Sequence, residues 1–358
     1  MKTVRSFLAI RLVVLVTFVL GALLSHRSIY SILSRWDAKW YARIADHGYG
    51  TTIAASGGRQ LSDYAFFPLF PMLERVLHGA TSISFATSGL IISIVASIAA
   101  AFAIKNIGES FANQECARAL VILWAIYPLS ALLWMSYSES LFTALASWSL
   151  YFVMKKRWIA SGLFALLAGA TRPIGLALIA AVAITALLHI KRYKTLAPLS
   201  AIALAPLGWL GFIIFVDFDS KSHSIFAYFM LQRDWGNGFD GGRAFIGWIC
   251  HAIIHQPLAG IGALAGLTLV LWALYATLRM AMPLPLKLYA IFMVIIALST
   301  AGYFSSKPRY LIPAFILLAP LAQVTSRWSP RKQILIYSAL TLASAIAGAF
   351  WLLGSTAP

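Results

Sequence analysis

A carboxylate set among indole rings marks the stretch Trp36-Asp37-Ala38-Lys39-Trp40-Tyr41-Ala42-Arg43-Ile44-Ala45-Asp46-His47-Gly48-Tyr49, directly after the first long apolar run. Aromatic rings near a lipid–water boundary lower the local dielectric, and a carboxylate there is suited to take a proton from a hydroxyl. Ser34 and Asp37 have the S-x-x-D spacing of a helix start, Trp36, Trp40 and Ile44 recur at helical intervals, and Gly48 supplies a C-cap. The stretch therefore reads as a short helix lying on a membrane. Asp37 either caps it or does chemistry, and Trp36, Trp40 and Tyr41 either anchor it at headgroup level or face a substrate.

Other ionisable groups interrupt apolar sequence at a few places. Tyr137-Ser138-Glu139-Ser140 and Thr171-Arg172-Pro173 each join two apolar runs, where charge is costly, so Glu139 and Arg172 either pair with each other or serve a ligand. A planar guanidinium such as that of Arg172 matches a phosphate with two hydrogen bonds. Lys307-Pro308-Arg309-Tyr310 opens a late helix, and two cations at a helix N-terminus suit a phosphate, snorkelling to lipid headgroups being the plainer reading. The polar, glycine-rich stretch around Tyr228, Gln232 and Trp235 has the character of a binding or gating loop whose aromatic faces can stack on sugar rings. Asp63-Tyr64-Ala65-Phe66-Phe67-Pro68-Leu69-Phe70-Pro71 is too proline-broken to span; it frames an acyl-chain groove or packs on helix ends. No metal site is expected. Asp217 and Asp219 share a face only in an extended backbone, and His251 with His255 lack a third ligand.

The elements that must position these groups are membrane helices. The 358-residue chain is 61% hydrophobic and 11% charged, with a mean hydropathy of +0.82, values of a polytopic membrane protein rather than a soluble one. Apolar runs at Met1 to Ser25 and at 86–104, 117–135, 138–154, 158–170, 172–190, 196–216, 258–278, 286–304, 310–324 and 333–353 give about eleven spans by the ~20-residue criterion. The first is expected to be a retained helix, since no small-x-small cleavage site precedes His26. The net charge of +17 sits mostly in short clusters between the runs, which points to lipid headgroups rather than nucleic acid as the partner. Every second loop is basic: Lys105, Lys155-Lys156-Arg157, Lys191-Arg192-Lys194, Arg279 with Lys287, and Arg327 with Arg331-Lys332, opposed only by Glu109 and Glu115. The positive-inside rule then places the N-terminus inside and the other acids outside, Glu139 in a short connection and the rest in two long outer loops at 26–85 and 217–257. Cys116 and Cys250 fall on opposite sides in this topology, so no disulfide is expected.

Trp36-Asp37 with Trp40-Tyr41, Phe66-Phe67-Pro68-Leu69-Phe70-Pro71, Ser138-Glu139-Ser140-Leu141-Phe142, Thr171-Arg172-Pro173, Gln232-x-x-Trp235 and Arg309-Tyr310-Leu311 resemble, in order and approximate spacing along nearly the whole chain, the PIG-V family of mannosyltransferases. The resemblance is to the bacterial branch. It implies a GT-C fold: one all-α, multi-span domain over 1–358, in a bacterial cytoplasmic membrane, with its site facing outward. It also implies a polyprenyl-phosphate sugar donor, most often mannose, and a glycolipid or glycan acceptor. Asp37 matches the catalytic aspartate of such enzymes and is the expected base of an inverting transfer. Arg172, Lys307 and Arg309 are expected to hold the donor phosphate. Trp36, Trp40, Tyr41, Glu139, Tyr228, Gln232 and Trp235 are expected to shape the sugar and acceptor pocket, without cofactor. Two alternatives stay open: another sugar such as arabinose, and a transporter of a lipid or lipid-linked sugar. Against the transporter stand the one-sided acids and the lack of an internal repeat.

Overall fold

The computed structural model describes residues 2–220, 224, 226–302 and 304–354; four of the remaining positions, 221–223 and 225, belong to the expected loop 217–257. The helices are α1 (Lys2–Leu24), α2 (Ile29–Leu33), α3 (Asp37–His47), α4 (Leu69–Thr81), α5 (Phe85–Phe111), α6 (Gln114–Ala125), α7 (Glu139–Met154), α8 (Trp158–Gly169) and α9 (Gly175–Tyr193). There follow α10 (Leu199–Leu204), α11 (Leu207–Asp219), α12 (Ala227–Asp234), α13 (Arg243–His255), α14 (Pro257–Arg279), α15 (Leu284–Ser299), α16 (Lys307–Tyr310), α17 (Ala319–Thr325) and α18 (Pro330–Leu353). A hairpin of β1 (Thr52–Ala54) and β2 (Gln60–Ser62) lies between α3 and α4.

Each apolar run of the sequence contains helix. Among the described residues six segments are long and apolar enough to cross a membrane, α1, α5, α9, the α10–α11 pair, α14 and α18, and a seventh forms if the pair Phe304–Tyr310 and Phe315–Thr325, bent by 81°, is one span. The chain is thus an integral membrane protein. The other runs give shorter helices: α6 and α8 have 12 residues each, α7 and α15 have 16. Proline accounts for part of the difference, because Pro128 and Pro313 fall inside runs that hydropathy alone reads as continuous.

Small residues let the spans approach closely, as they must where lipid offers no hydrophobic drive to pack. Ser88, Gly89, Ser93, Ala96, Ser97 and Ala100 are buried on α5, which packs most extensively against α7. A Cβ at Gly208 would lie 1.9 Å from the Leu166 carbonyl, so α11 meets α8 backbone to backbone. Ser149 and Ser161 exchange hydrogen bonds between α7 and α8.

The two long loops knit together over one end of the bundle. Backbone N–H groups of Gly50 and Thr51 donate to the buried Asp63 carboxylate, Trp235 donates to the Ser62 carbonyl at 2.9 Å and Gln232 to that of Ala65 at 3.3 Å. Residues 236–240 in turn pair with 299–302 through Ala301 N–H to the Gly238 carbonyl and Asp240 N–H to that of Ser299.

Candidate functional site

Helix α3 carries Asp37 and is seated by its own periodicity, with Ala38, Tyr41, Ile44 and Ala45 buried against α4 and α5. Its start corrects the capping expectation: Ser34 lies outside the helix, Trp36 is the N-cap without a side-chain bond, and Asp37 is the first helical residue. Trp36 sits at φ 54°, ψ −117°, a conformation costing a tryptophan of order 1–3 kcal/mol. Neighbours hold it there. Arg35 donates to the carbonyls of Leu352 and Gly354 at the end of α18, and the Trp36 ring stacks on Trp351. At the other end Gly48 takes φ 83°, and Arg75 donates to the carbonyls of Ala45 and Asp46, occupying acceptors the helix leaves free.

Four charged residues from four elements then meet. Arg309 donates to Asp37 Oδ2 through Nη2 and to Glu139 Oε1 through Nε. Arg172 Nη1 lies 2.6 Å from the same Glu139 oxygen and donates to Ser138 Oγ at 3.0 Å. Ser138 Oγ in turn hydrogen-bonds the Tyr41 hydroxyl at 2.7 Å, which burial keeps protonated by pushing its pKa well up. The cluster carries two anions and two cations and is neutral. Exposure within it is graded: the side chain of Glu139 is 0% exposed, Arg309 7%, Arg172 10% and Asp37 23%. Asp37 is therefore the carboxylate that faces open space, while Glu139 is the buried counter-charge of Arg172 and Arg309.

That space is a cavity of about 280 Å³ lined by Trp36, Asp37, Trp40, Tyr41, Arg172, Gln232, Trp235 and Arg309. Eight of the residues singled out in the sequence thus share one wall. Trp40 stacks on Phe66 and meets Trp235 edge-on at 5.3 Å. Glu139 lies beneath the cavity, where it pairs with Arg172, one of the two roles its sequence position allows, and with Arg309 as well. Tyr228 is buried behind the wall, its hydroxyl accepting from Gln232 Nε2 at 2.8 Å.

Lys307 departs from expectation. Its ammonium donates to the carbonyls of Ala297, Leu298 and Thr300 at 2.8 to 3.3 Å, because the free carbonyls at the end of α15 attract a cation. It thus lies outside the polar cavity that Arg309 lines. Lys307 instead borders a second cavity, of about 550 Å³ and almost wholly apolar, which also takes in Tyr127, Trp248, Phe304, Pro308 and Leu311. Segment 304–312 divides the two, with Ser306, Arg309 and Tyr310 on the polar side.

Other expectations resolve locally. Asp217 and Asp219 lie on helix α11, where Asp219 accepts from the Tyr64 hydroxyl at 2.5 Å. The His251 and His255 rings meet at a tilt of 39°, centroids 4.1 Å apart, along α13. Among the described residues no three His, Cys, Asp or Glu side chains group closely enough to hold a metal ion. Phe66 and Phe67 line the polar cavity rather than an acyl-chain groove. Ser138, Tyr310 and Asn237 join the site without a sequence signal of their own. The first two stand within motifs already noted, and Asn237 follows Trp235 in the glycine-rich stretch, binding Gln232 Oε1 at 2.9 Å.

Over 93% of its length the chain superimposes on 63% of ArnT from Cupriavidus metallidurans, solved bound to undecaprenyl phosphate, with a TM-score of 0.57 at 15% identity. Over 98% it superimposes on 56% of the archaeal oligosaccharyltransferase AglB from Archaeoglobus fulgidus, solved with an inhibitory peptide and a dolichol-phosphate, with a TM-score of 0.51 at 12% identity. The chain has the GT-C fold. Within this GT-C bundle, 40% of the chain is 32% identical to GPI alpha-1,6-mannosyltransferase 2 of mouse over 154 residues, and a similar share matches the rat protein of that name at 32%. The match spans 29% of the length of the mouse protein. No family model matches the chain.

Proposed function

We propose that the protein transfers a sugar, mannose, from a polyprenyl-phosphate donor to a glycolipid or glycan acceptor. One observation carries this reading: the carboxylate lining the polar cavity, Asp37, pairs with the Arg309 guanidinium and shares the cavity wall with that of Arg172 and with aromatic rings. In an inverting displacement the acceptor hydroxyl oxygen forms a bond to the anomeric carbon as that carbon's bond to the phosphate oxygen breaks. Asp37 takes the hydroxyl proton. Arg172 and Arg309 stabilise the charge that grows on the departing lipid phosphate, fixed donors being worth most where charge develops. A phosphate entering beside Arg309 competes for that guanidinium and so frees Asp37. Trp40, Trp235 and Gln232 flank the space for the sugar, and the apolar cavity beyond segment 304–312 is the place for the isoprenoid chain. Mannose leans on the similarity to the mouse enzyme, and the lipid phosphate on the ligands bound in ArnT and AglB. The basic clusters on alternate loops support an N-terminus inside and a site facing the non-cytoplasmic side of a bacterial cytoplasmic membrane.

The test uses purified protein in detergent with polyprenyl-phosphate mannose, radiolabelled in the sugar, and a lipid extract, beside Asp37→Asn. The wild type is expected to move label to a new product and the variant to lose at least about 10²-fold in rate. The Asp37 carboxylate is partly exposed and Arg309 keeps Glu139 as a partner, so the loss of stability is expected below the ~3–5 kcal/mol of a fully buried pair. Near-normal turnover by Asp37→Asn would end the mechanism. Donor left intact by both would end the mannose assignment, and other lipid-linked sugars would then be tried.

A further inference from the structure

Glu74 plays no part in the chemistry above, yet it is fully buried directly beneath the turn that carries Ser138 and Glu139. It stands on α4, a 13-residue amphipathic helix too short to span. Its Oε1 accepts from Ser136 Oγ at 2.7 Å, while Oε2 is buried without a partner. Helix α5 closes over this pair at Gly89, where a Cβ would lie 2.0 Å from Ser136 Oγ and 2.1 Å from Glu74 Oε1. Only glycine leaves room for it.

The surroundings offer no counter-charge. On α4 itself, Arg75 is turned to the α3 carbonyls and His78 to the Ile83 carbonyl and the Phe85 ring. From α3 the nearby ionisable group is Tyr41, engaged with Ser138. Helix α5 has no charged residue between Phe85 and Ile104. Ionised at this place, the carboxylate would be a buried charge without compensation, which proteins avoid by keeping the group neutral.

The turn above is held from below and used from above. Ser136 rests on Glu74, the Tyr137 carbonyl accepts from Ser93 Oγ at 2.9 Å, and the Arg309 guanidinium lies 4.8 Å over the Tyr137 ring. Ser138 and Glu139, next in the chain, bind Arg172 and Arg309.

We propose that Glu74 is a positioning residue which, as a neutral carboxylic acid, holds Ser136 and with it the turn that sets Ser138 and Glu139 against Arg172 and Arg309. This rests on the transferase reading for its effect on rate, but not for its protonation. Burial, opposed by the Ser136 hydrogen bond, pushes the Glu74 pKa from 4.5 up to about 8. Raised in the folded state, the pKa gives a stability that is full below 4.5, falls as pH rises between 4.5 and about 8, and levels off above.

The experiment compares wild type, Glu74→Gln and Glu74→Ala in mannose transfer and in thermal stability across that pH window. Glutamine reproduces the neutral acid, so Glu74→Gln is expected within about twofold of wild-type kcat, whereas Glu74→Ala loses about 10-fold or more with the turn released. Wild-type kcat should fall above pH 8 and that of Glu74→Gln should not. The stability of wild type relative to Glu74→Gln should decline across the window. Equal loss of kcat in both variants, or a wild-type pH profile in Glu74→Gln, would overturn the positioning role. A stability difference constant with pH would overturn the neutral acid. Should wild type transfer no lipid-linked sugar, the functional reading fails while the stability comparison still decides the protonation of Glu74.

Discussion

Replacing Glu139 by Gln removes the one fully buried anion of the charged cluster and leaves its two guanidinium partners in place. The charges change from two of each sign to two positive and one negative, with Arg309 and Arg172 at 7% and 10% exposure. Removing one partner of a buried ion pair costs about 3–5 kcal/mol, most of it from the charge left behind. Asp37 still faces Arg309, so the uncompensated charge is that of Arg172, whose remaining partner is the neutral Ser138 hydroxyl. It follows that adding Arg172→Gln to Glu139→Gln should recover part of the loss, although Arg172→Gln alone destabilises. An SDS titration of the detergent-purified protein, followed by circular dichroism, measures all four proteins of the cycle. The expected coupling is favourable to the double variant by about 1–3 kcal/mol. If Glu139→Gln costs less than about 1 kcal/mol, or if the two losses add, the network is not an electrostatic unit and the reasoning from it fails.

Lys307→Met should lower stability by about 1–3 kcal/mol, since carbonyls at the end of α15 lose a charged donor, yet leave the KM for the lipid-linked donor within about twofold; a KM rise matching that of Arg172→Gln would return Lys307 to the phosphate site. Arg75→Ala should fray the end of α3, with faster amide hydrogen exchange at Gly48 and nearby residues and a loss of about 1–3 kcal/mol. Unchanged exchange there would show that the cap is idle.

Charge inside apolar sequence is conspicuous because it is expensive, and for that reason Asp37, Glu139, Arg172 and Arg309 stand out in the amino-acid sequence itself. What the sequence leaves open is direction. Lys307 and Arg309 stand two apart in one helical turn, a spacing that sends side chains to opposite sides; one reaches the α15 carbonyls and the other the carboxylates. Glu139 could be read as a partner of Arg172, but its second partner lies 170 residues on, a distance no local pattern spans. Span boundaries are blurred for another reason: hydropathy reports where lipid is tolerated, while Pro128 and Pro313 decide where a helix stops. Glu74 shows the limit most clearly. In sequence it is one more acid on an amphipathic helix, and only the meeting with Ser136, 62 residues away, over the bare Cα of Gly89 shows a carboxyl group that has nowhere to place a charge.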